Sequence, residues 1–150
     1  MQKLKLDVNA IIDYLEIKPP FLMIDKVEEL IPGKSCYAIK KLRNDDWFFE
    51  SHLKKEQLMP GTLQIEAMLQ SLVLTLYSLK NHSGKLSFVK NIKTNLISKV
   101  RPCNTLNIFA YLQSYKRGIA DGNCRIEIGK EIVSEGQFSL VSPHDLITPK

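Results

Sequence analysis

Apolar residues recur at helical spacing in two segments of the chain. Residues 7–16 carry theirs on one side, which predicts a short amphipathic helix with Asp7 as its N-cap. Residues 62–79 are apolar on nearly every side, so a helix there needs protein around its whole surface. Turn-forming residues follow this second helix, and Gly84 is expected to cap its end.

Segments rich in β-branched and aromatic residues lie between turn signals and predict six strands. These segments are 21–30, 34–43, 86–97, 104–116, 122–129 and 131–141. Pro32–Gly33 predicts a hairpin turn between the first two strands. Further breaks are expected from Gly118 to Gly122 and at Gly129. The irregular stretch 44–60 is long enough to suggest a functional loop.

One helix that is apolar all round and about six antiparallel strands predict an α+β protein. The sheet is expected to curl around the helix, because only that arrangement covers all its faces. A curled sheet leaves its edges open, so we expect two copies to pair edge to edge as a homodimer. Residues 1–150 are interpreted as one domain, with loose ends at 1–6 and 142–150.

Composition restricts the class of protein. The 150 residues are 44% hydrophobic and 25% charged, which is ordinary for a globular protein and excludes disorder and a collagen-like fibre. The formal net charge of +5 permits an acidic partner. The aromatic residues lie in apolar runs rather than among basic residues, so no nucleic-acid partner is expected.

Cysteine usage and the first residues are typical of a cytoplasmic protein. Cys36, Cys103 and Cys124 are odd in number and form no C-x-x-C pair, so neither a disulfide framework nor a zinc site is expected. This usage fits a reducing compartment. The first residues lack the apolar core of a signal peptide. A membrane span at 62–79 is not expected, because Glu66 would be costly within a bilayer.

Two titratable residues and a glycine near the start of the long helix suggest acid–base chemistry. Burial would raise the pKa of Glu66 and make it a proton donor, although a hydrogen bond to Gln70 or a dimer contact would explain it equally. His52 is either a base or an ordinary loop histidine. Gly61 lies in the first helical turn, where free N–H groups favour negative charge. An acid, a base and an oxyanion donor are the parts needed for α-proton abstraction with loss of a β-leaving group.

The segment from His52 to Gln70 resembles the active-site segment of the FabZ-type 3-hydroxyacyl-[acyl-carrier-protein] dehydratases. The family segment reads H-F-P-G-H-P-x-M-P-G, then four further residues, then E-A-M-x-Q. The 14-residue step from His52 to Glu66 matches without a gap, and Met59–Gly61 match the M-P-G element. A weaker resemblance extends over about residues 15–141.

The resemblance implies a hot-dog fold and homodimers, which can remain dimers or assemble into hexamers. It also implies dehydration of (3R)-hydroxyacyl chains on acyl carrier protein to trans-2-enoyl thioesters, as in fatty-acid biosynthesis, with no metal or redox cofactor. His52 would take the C2 proton, and Glu66 of the other subunit would protonate the departing 3-hydroxyl. The Gly61 N–H would polarise the thioester carbonyl.

Several residues around these positions depart from the family pattern. The positions that the resemblance implies for substrate binding are Pro60, Gly61, Gln70, Ser87 and Phe88. Ser87 stands where an aromatic gate is common, which should leave that part of the tunnel more open. Lys54–Gln57 replace P-G-H-P, and residues 96–104 lose several residues of the family's F-R-x-P-V-x-P-G-D. These departures suggest an unusual chain length or a specialised pathway.

Two other functions share this fold. A thioesterase would need only Glu66 to activate water, and His52 at its matching position argues against it. A non-catalytic protein that binds acyl chains or the carrier is suggested by the altered loop 53–57 and by Ser87. Five basic residues are either solubilising surface or contacts for an acidic acyl carrier protein. They are Lys54, Lys55, Lys93, Lys99 and Arg101.

Overall fold

The computed structural model describes residues 1–82 and 86–146. Its three helices are α1 (Val8–Leu15), α2 (Trp47–Ser51) and α3 (Gly61–Tyr77). Its seven strands are β1 (Leu4–Leu6), β2 (Lys26–Ile31), β3 (Ser35–Lys41), β4 (Phe88–Leu96), β5 (Thr105–Lys116), β6 (Ile119–Ile128) and β7 (Glu131–Val141). The predicted Gly84 cap lies outside the described residues.

All seven strands form one antiparallel sheet in the order β1-β2-β3-β5-β6-β7-β4. The sheet curls around α3, which packs against β2, β3, β5, β6 and β7. Ten of the 17 residues of α3 are buried, on all sides of the helix, so the predicted all-round cover is confirmed. Its buried apolar residues form the centre of the core.

Local signals predicted the first helix and the first hairpin correctly. The Asp7 carboxylate accepts a hydrogen bond from the Ala10 N–H at 2.9 Å and caps α1. Gly33 has a φ of +74° in the turn between β2 and β3, a conformation that glycine adopts without steric cost. The long helix also begins and ends within two residues of its predicted bounds.

The structure corrects three expectations for the chain before β7. Residues 4–6 were expected to be a loose end, but they form β1, because Leu6 enters the core beside β2. Gly122 was expected in a turn, but it lies within β6, where Leu72 of the central helix leaves no room for a side chain. The predicted loop 44–60 contains α2, which is anchored by two buried phenylalanines.

The chain after β7 is also better ordered than predicted. Ser142 is buried, and residues 143–145 form one 3-10 turn. The Tyr115 hydroxyl donates a hydrogen bond to the Asp145 carboxylate, which holds this turn against β5. The expected loose end is therefore wrong for residues 142–146, and residues 147–150 lie outside the described residues.

Strand β4 is an open edge of the sheet. It pairs with β7 on one side, and eight of its nine residues are exposed. Apolar side chains are exposed to solvent at Phe88, Val89, Ile92 and Leu96 along the strand and at Ile97 just beyond it. An exposed apolar edge strand of this length is a site for pairing with another chain.

Candidate active site

His52 follows directly after α2, which fixes its position. The Phe48 and Phe49 side chains are almost fully buried and anchor this short helix in the core. The half-buried His52 ring contacts the Leu58 carbonyl oxygen through Nδ1 at 2.9 Å. A carbonyl oxygen only accepts, so this hydrogen bond requires the proton on Nδ1. In the neutral ring, Nε2 is then the proton acceptor, as a general base requires.

Glu66 lies in the second turn of α3 and is half-buried. Burial raises the pKa of the Glu66 carboxyl above its ordinary value, because desolvation disfavours the charged form. A hydrogen bond of 3.0 Å from the Gln70 side-chain amide opposes this rise and is the smaller effect. Glu66 therefore has the environment of a proton donor, and the hydrogen bond expected from Gln70 is present as well.

Gln70 is buried and uses both ends of its amide. Its Oε1 accepts a hydrogen bond of 2.8 Å from the Met23 N–H. Its Nε2 donates to the Phe21 carbonyl at 3.1 Å and to Glu66 Oε1 at 3.0 Å. Because both amide hydrogens are engaged, this arrangement favours a role in orienting Glu66 over the predicted contact with substrate.

Gly61 begins α3, and Pro60 lies at the N-cap. The Leu63 N–H donates to the Pro60 carbonyl at 3.0 Å, whereas the N–H groups of Gly61 and Thr62 have no acceptor among the described residues. A Cβ built on Gly61 would lie 2.2 Å from Leu96 Cδ1, so a larger residue would collide with that side chain. Leu96 at the end of β4 therefore covers the start of α3. No sequence pattern predicts this contact, because Gly61 and Leu96 are far apart in the chain.

The structure does not bring all predicted site residues together within one protomer. The Ser87 N–H donates to the Tyr77 hydroxyl at 2.8 Å, so Ser87 and Phe88 lie near the C-terminal end of α3. Gly61 is at the other end, about 24 Å away along the helix axis. Among the described residues, no hydrogen bond or ion pair joins His52 to Glu66.

The described residues offer little for a metal site. Residues 1–82 and 86–146 contain no group of three or more His, Cys, Asp or Glu side chains placed to hold a metal ion. All three cysteines are free thiols, and burial raises the pKa of Cys36 to about 12. No helix within the described part of the chain has the length and hydropathy needed to cross a bilayer.

Solved structures share this architecture at low sequence identity. The dehydratase heterocomplex ApeI:P from Xenorhabdus doucetiae superposes with a TM-score of 0.75 and 14% identity, covering 89% of this chain and 90% of that one. A hypothetical thioesterase from Streptococcus pneumoniae superposes with a TM-score of 0.63 and 15% identity, covering 78% and 88%. The predicted hot-dog fold is thereby confirmed.

Sequence comparison identifies the family of this chain more specifically than the fold does. The 3-hydroxyacyl-[acyl-carrier-protein] dehydratase FabZ of Natranaerobius thermophilus is 35% identical over 138 residues, which cover 90% of this chain and 97% of the relative. The enzyme of the same name from Clostridioides difficile is 32% identical over 139 residues, which cover 91% and 98%. The model of the FabA-like domain matches residues 16–137. The resemblance first seen between His52 and Gln70 thus extends over most of the sequence, and the chain belongs to the family of FabA-like domains.

Proposed function

We propose that this chain is a hydro-lyase that converts (3R)-hydroxyacyl-[acyl-carrier-protein] to the trans-2-enoyl thioester in fatty-acid or related acyl-chain biosynthesis. The observation that carries this proposal is that the protein holds one side chain as a proton acceptor and another as a proton donor. The Leu58 carbonyl leaves His52 Nε2 as a proton acceptor, and burial favours the protonated form of Glu66. The similarity to FabZ dehydratases over nine-tenths of the chain supports the same reaction.

The reaction needs one base and one acid, and it involves no net oxidation or reduction. His52 Nε2 takes the C2 proton, and the electron pair of that C–H bond forms the C2=C3 double bond. The C3–O bond breaks, and Glu66 donates its proton to the departing hydroxyl, which leaves as water. A first-turn N–H at Gly61 stabilises the charge that develops on the thioester oxygen. Proton transfers and cleavage of the C3–O bond complete this reaction without an external oxidant or reductant, so the proposal includes no cofactor.

The exposed β4 edge supports a homodimer that completes the site. Antiparallel pairing of two β4 strands about Ile92 would place the partner's Phe88 opposite Leu96, next to the start of α3. Residues 87 and 88, which lie far from Gly61 within one protomer, would then approach the site of the other. We propose that His52 and the partner's Glu66 form each site, and that three dimers can assemble into a hexamer.

Basic residues beside the His52 loop support the proposed docking of acyl carrier protein. Lys54 and Lys55 are exposed and make no ion pair within the described part of the chain. They are therefore available to an acidic carrier and to the phosphate of its phosphopantetheine arm, where they would raise the association rate. The free thiols are consistent with the proposed cytoplasmic location.

The function is tested by assaying purified protein with 3-hydroxyacyl-carrier substrates of increasing chain length. We expect enoyl product, and we expect His52→Ala to lower kcat by about 10²-fold or more. His144→Ala is the matched control, because His144 is exposed in the 3-10 turn at the end of the chain. Free acid in place of enoyl product would instead indicate a thioesterase. Binding of the carrier without turnover would indicate a non-catalytic homologue.

A further inference from the structure

The loop that follows His52 closes back onto the His52 ring. Leu53 has a φ of +55° and turns the chain immediately after α2, and its carbonyl accepts a hydrogen bond of 3.2 Å from the Glu56 N–H. The last residue of the loop, Leu58, supplies the carbonyl oxygen that contacts His52 Nδ1. The orientation of the ring therefore depends on where residues 53–58 are held.

One carboxylate attaches this loop to the segment after β4. Glu56 Oε1 accepts from Lys99 Nζ at 2.8 Å and from Arg101 Nη2 at 3.3 Å. These two cations lower the pKa of Glu56, with the hydrogen bond from Lys99 as the largest cause, so the carboxylate is charged at neutral pH. Val100, between the two cations, accepts a hydrogen bond of 2.8 Å from the Met59 N–H. Residues 99–101 thus hold the loop through both side chain and backbone.

Glu56 differs from its neighbours in this loop because its side chain forms ion pairs with the rest of the protein. Within the described residues, the side chains of Lys54, Lys55 and Gln57 make no hydrogen bond or ion pair. The Met59 N–H belongs to the same peptide unit as the Leu58 carbonyl, so its bond to Val100 fixes the far end of the loop, whereas the middle of the loop depends on side chains. The ion pairs of Glu56 are then the polar side-chain contacts that hold the segment between Leu53 and Leu58 against the rest of the protein.

We propose that Glu56 is a positioning residue for the base, because its ion pairs with Lys99 and Arg101 hold the loop whose Leu58 carbonyl orients the His52 imidazole. This inference rests on the proposed function of His52. It assigns a role to a loop that departs from the family pattern, and to the basic segment that faces it. Lys99 and Arg101 act in this role through Glu56, whereas Lys54 and Lys55 remain free for a carrier.

Activity assays test the proposal with Glu56→Gln, which keeps the size of the side chain and removes its charge. An exposed ion pair is weak, so the loop shifts without unfolding. A displacement of the base by about 1 Å can cost on the order of 10²-fold in rate, and we expect this partial release to lower kcat about fivefold at unchanged KM. Glu50→Gln is the matched control, because it removes an exposed carboxylate on α2 that makes no ion pair within the described residues.

A double-mutant cycle separates positioning of His52 from any other effect. In a His52→Ala background, Glu56→Gln should cause no further loss of kcat, because the group that it positions is gone. The proposal is overturned by an equal loss in both backgrounds. It is also overturned by a kcat for Glu56→Gln that equals that of Glu50→Gln.

A spectroscopic measurement tests the positioning without turnover. The ¹⁵N chemical shifts of the His52 ring should report a proton fixed on Nδ1 in the wild type and a mixture of both tautomers in Glu56→Gln. Identical shifts in the two proteins would overturn the proposal. Unchanged turnover in His52→Ala alone would instead overturn the proposed function, and the ring shifts would still decide whether Glu56 orients His52.

Discussion

Gln70 connects the stability of the core to the candidate acid, and Gln70→Met tests both. Methionine has a similar length and cannot replace the amide, so the substitution removes hydrogen bonds with little change in volume. The Met23 N–H is then left without its partner in a residue that is only 1% exposed. An unsatisfied buried donor costs about 1–3 kcal/mol. The other two partners, Phe21 and Glu66, are nearer to solvent and add less.

We therefore expect a loss of about 2 kcal/mol in the free energy of unfolding. For a chain of this size, that loss corresponds to a decrease of about 4–8 °C in Tm. Urea titration at one fixed protein concentration is the appropriate assay, because the stability of the proposed dimer would depend on concentration. The remaining activity should extend to higher pH than in the wild type, since Gln70 no longer lowers the pKa of Glu66.

Gln64→Met is the matched control on the same helix. Gln64 is also buried, but its Oε1 has no hydrogen-bond partner within the described residues, and its Nε2 makes one longer bond of 3.3 Å to the Met59 carbonyl. Its replacement removes an unsatisfied acceptor together with a weak bond, so stability should change by less than about 1 kcal/mol. Equal losses for Gln64→Met and Gln70→Met would refute the assignment of a specific structural role to the Gln70 amide.

Three further substitutions test the acid, the core and the sheet edge. Glu66→Gln should raise Tm relative to the wild type at neutral pH but not below about pH 4. The pKa of Glu66 is higher in the folded than in the unfolded protein, so ionisation of Glu66 destabilises the fold only at a pH above the unfolded-state pKa. A difference in Tm that is constant with pH would contradict this. Gly122→Ala should lower the free energy of unfolding by about 1–3 kcal/mol in a urea titration, since the new Cβ would lie 2.8 Å from the Tyr111 carbonyl oxygen and 2.5 Å from Leu72 Cδ1. Ile92→Lys should give monomers in sedimentation analysis, because two lysines would face each other across the proposed dimer axis; an unchanged dimer would place the interface elsewhere.

Sequence patterns predicted those helices and turns that form because of residues close together in the chain. The all-round apolar composition of residues 62–79 predicted the central helix and its burial. The turn at Gly33 predicted the first hairpin. Strand β1 was missed because three residues contain too little alternation to identify a strand, and its formation depends on a partner more than twenty residues away.

The supporting contacts of the candidate site were beyond the reach of sequence patterns. Gln70 bonds to Met23, 47 residues earlier in the chain, and Glu56 bonds to Lys99, 43 residues later. Gly122 was assigned to a turn because glycine is common in turns, whereas its actual constraint is the approach of Leu72. Tertiary packing set these contacts, so the sequence offered only Glu66, His52 and Gly61 as candidates for the acid, the base and the oxyanion donor, through their resemblance to the FabZ-type segment.

The open edge of β4 affects when a newly synthesised chain becomes active. If catalysis needs groups from two copies, a single polypeptide leaving the ribosome is inert even when it has folded. Activity at low abundance would then rise with the square of the number of chains rather than in proportion to it. The onset of lipid synthesis would depend on how soon two copies associate. The exposed apolar edge strand would speed this association, but it would also make unpaired chains prone to aggregation.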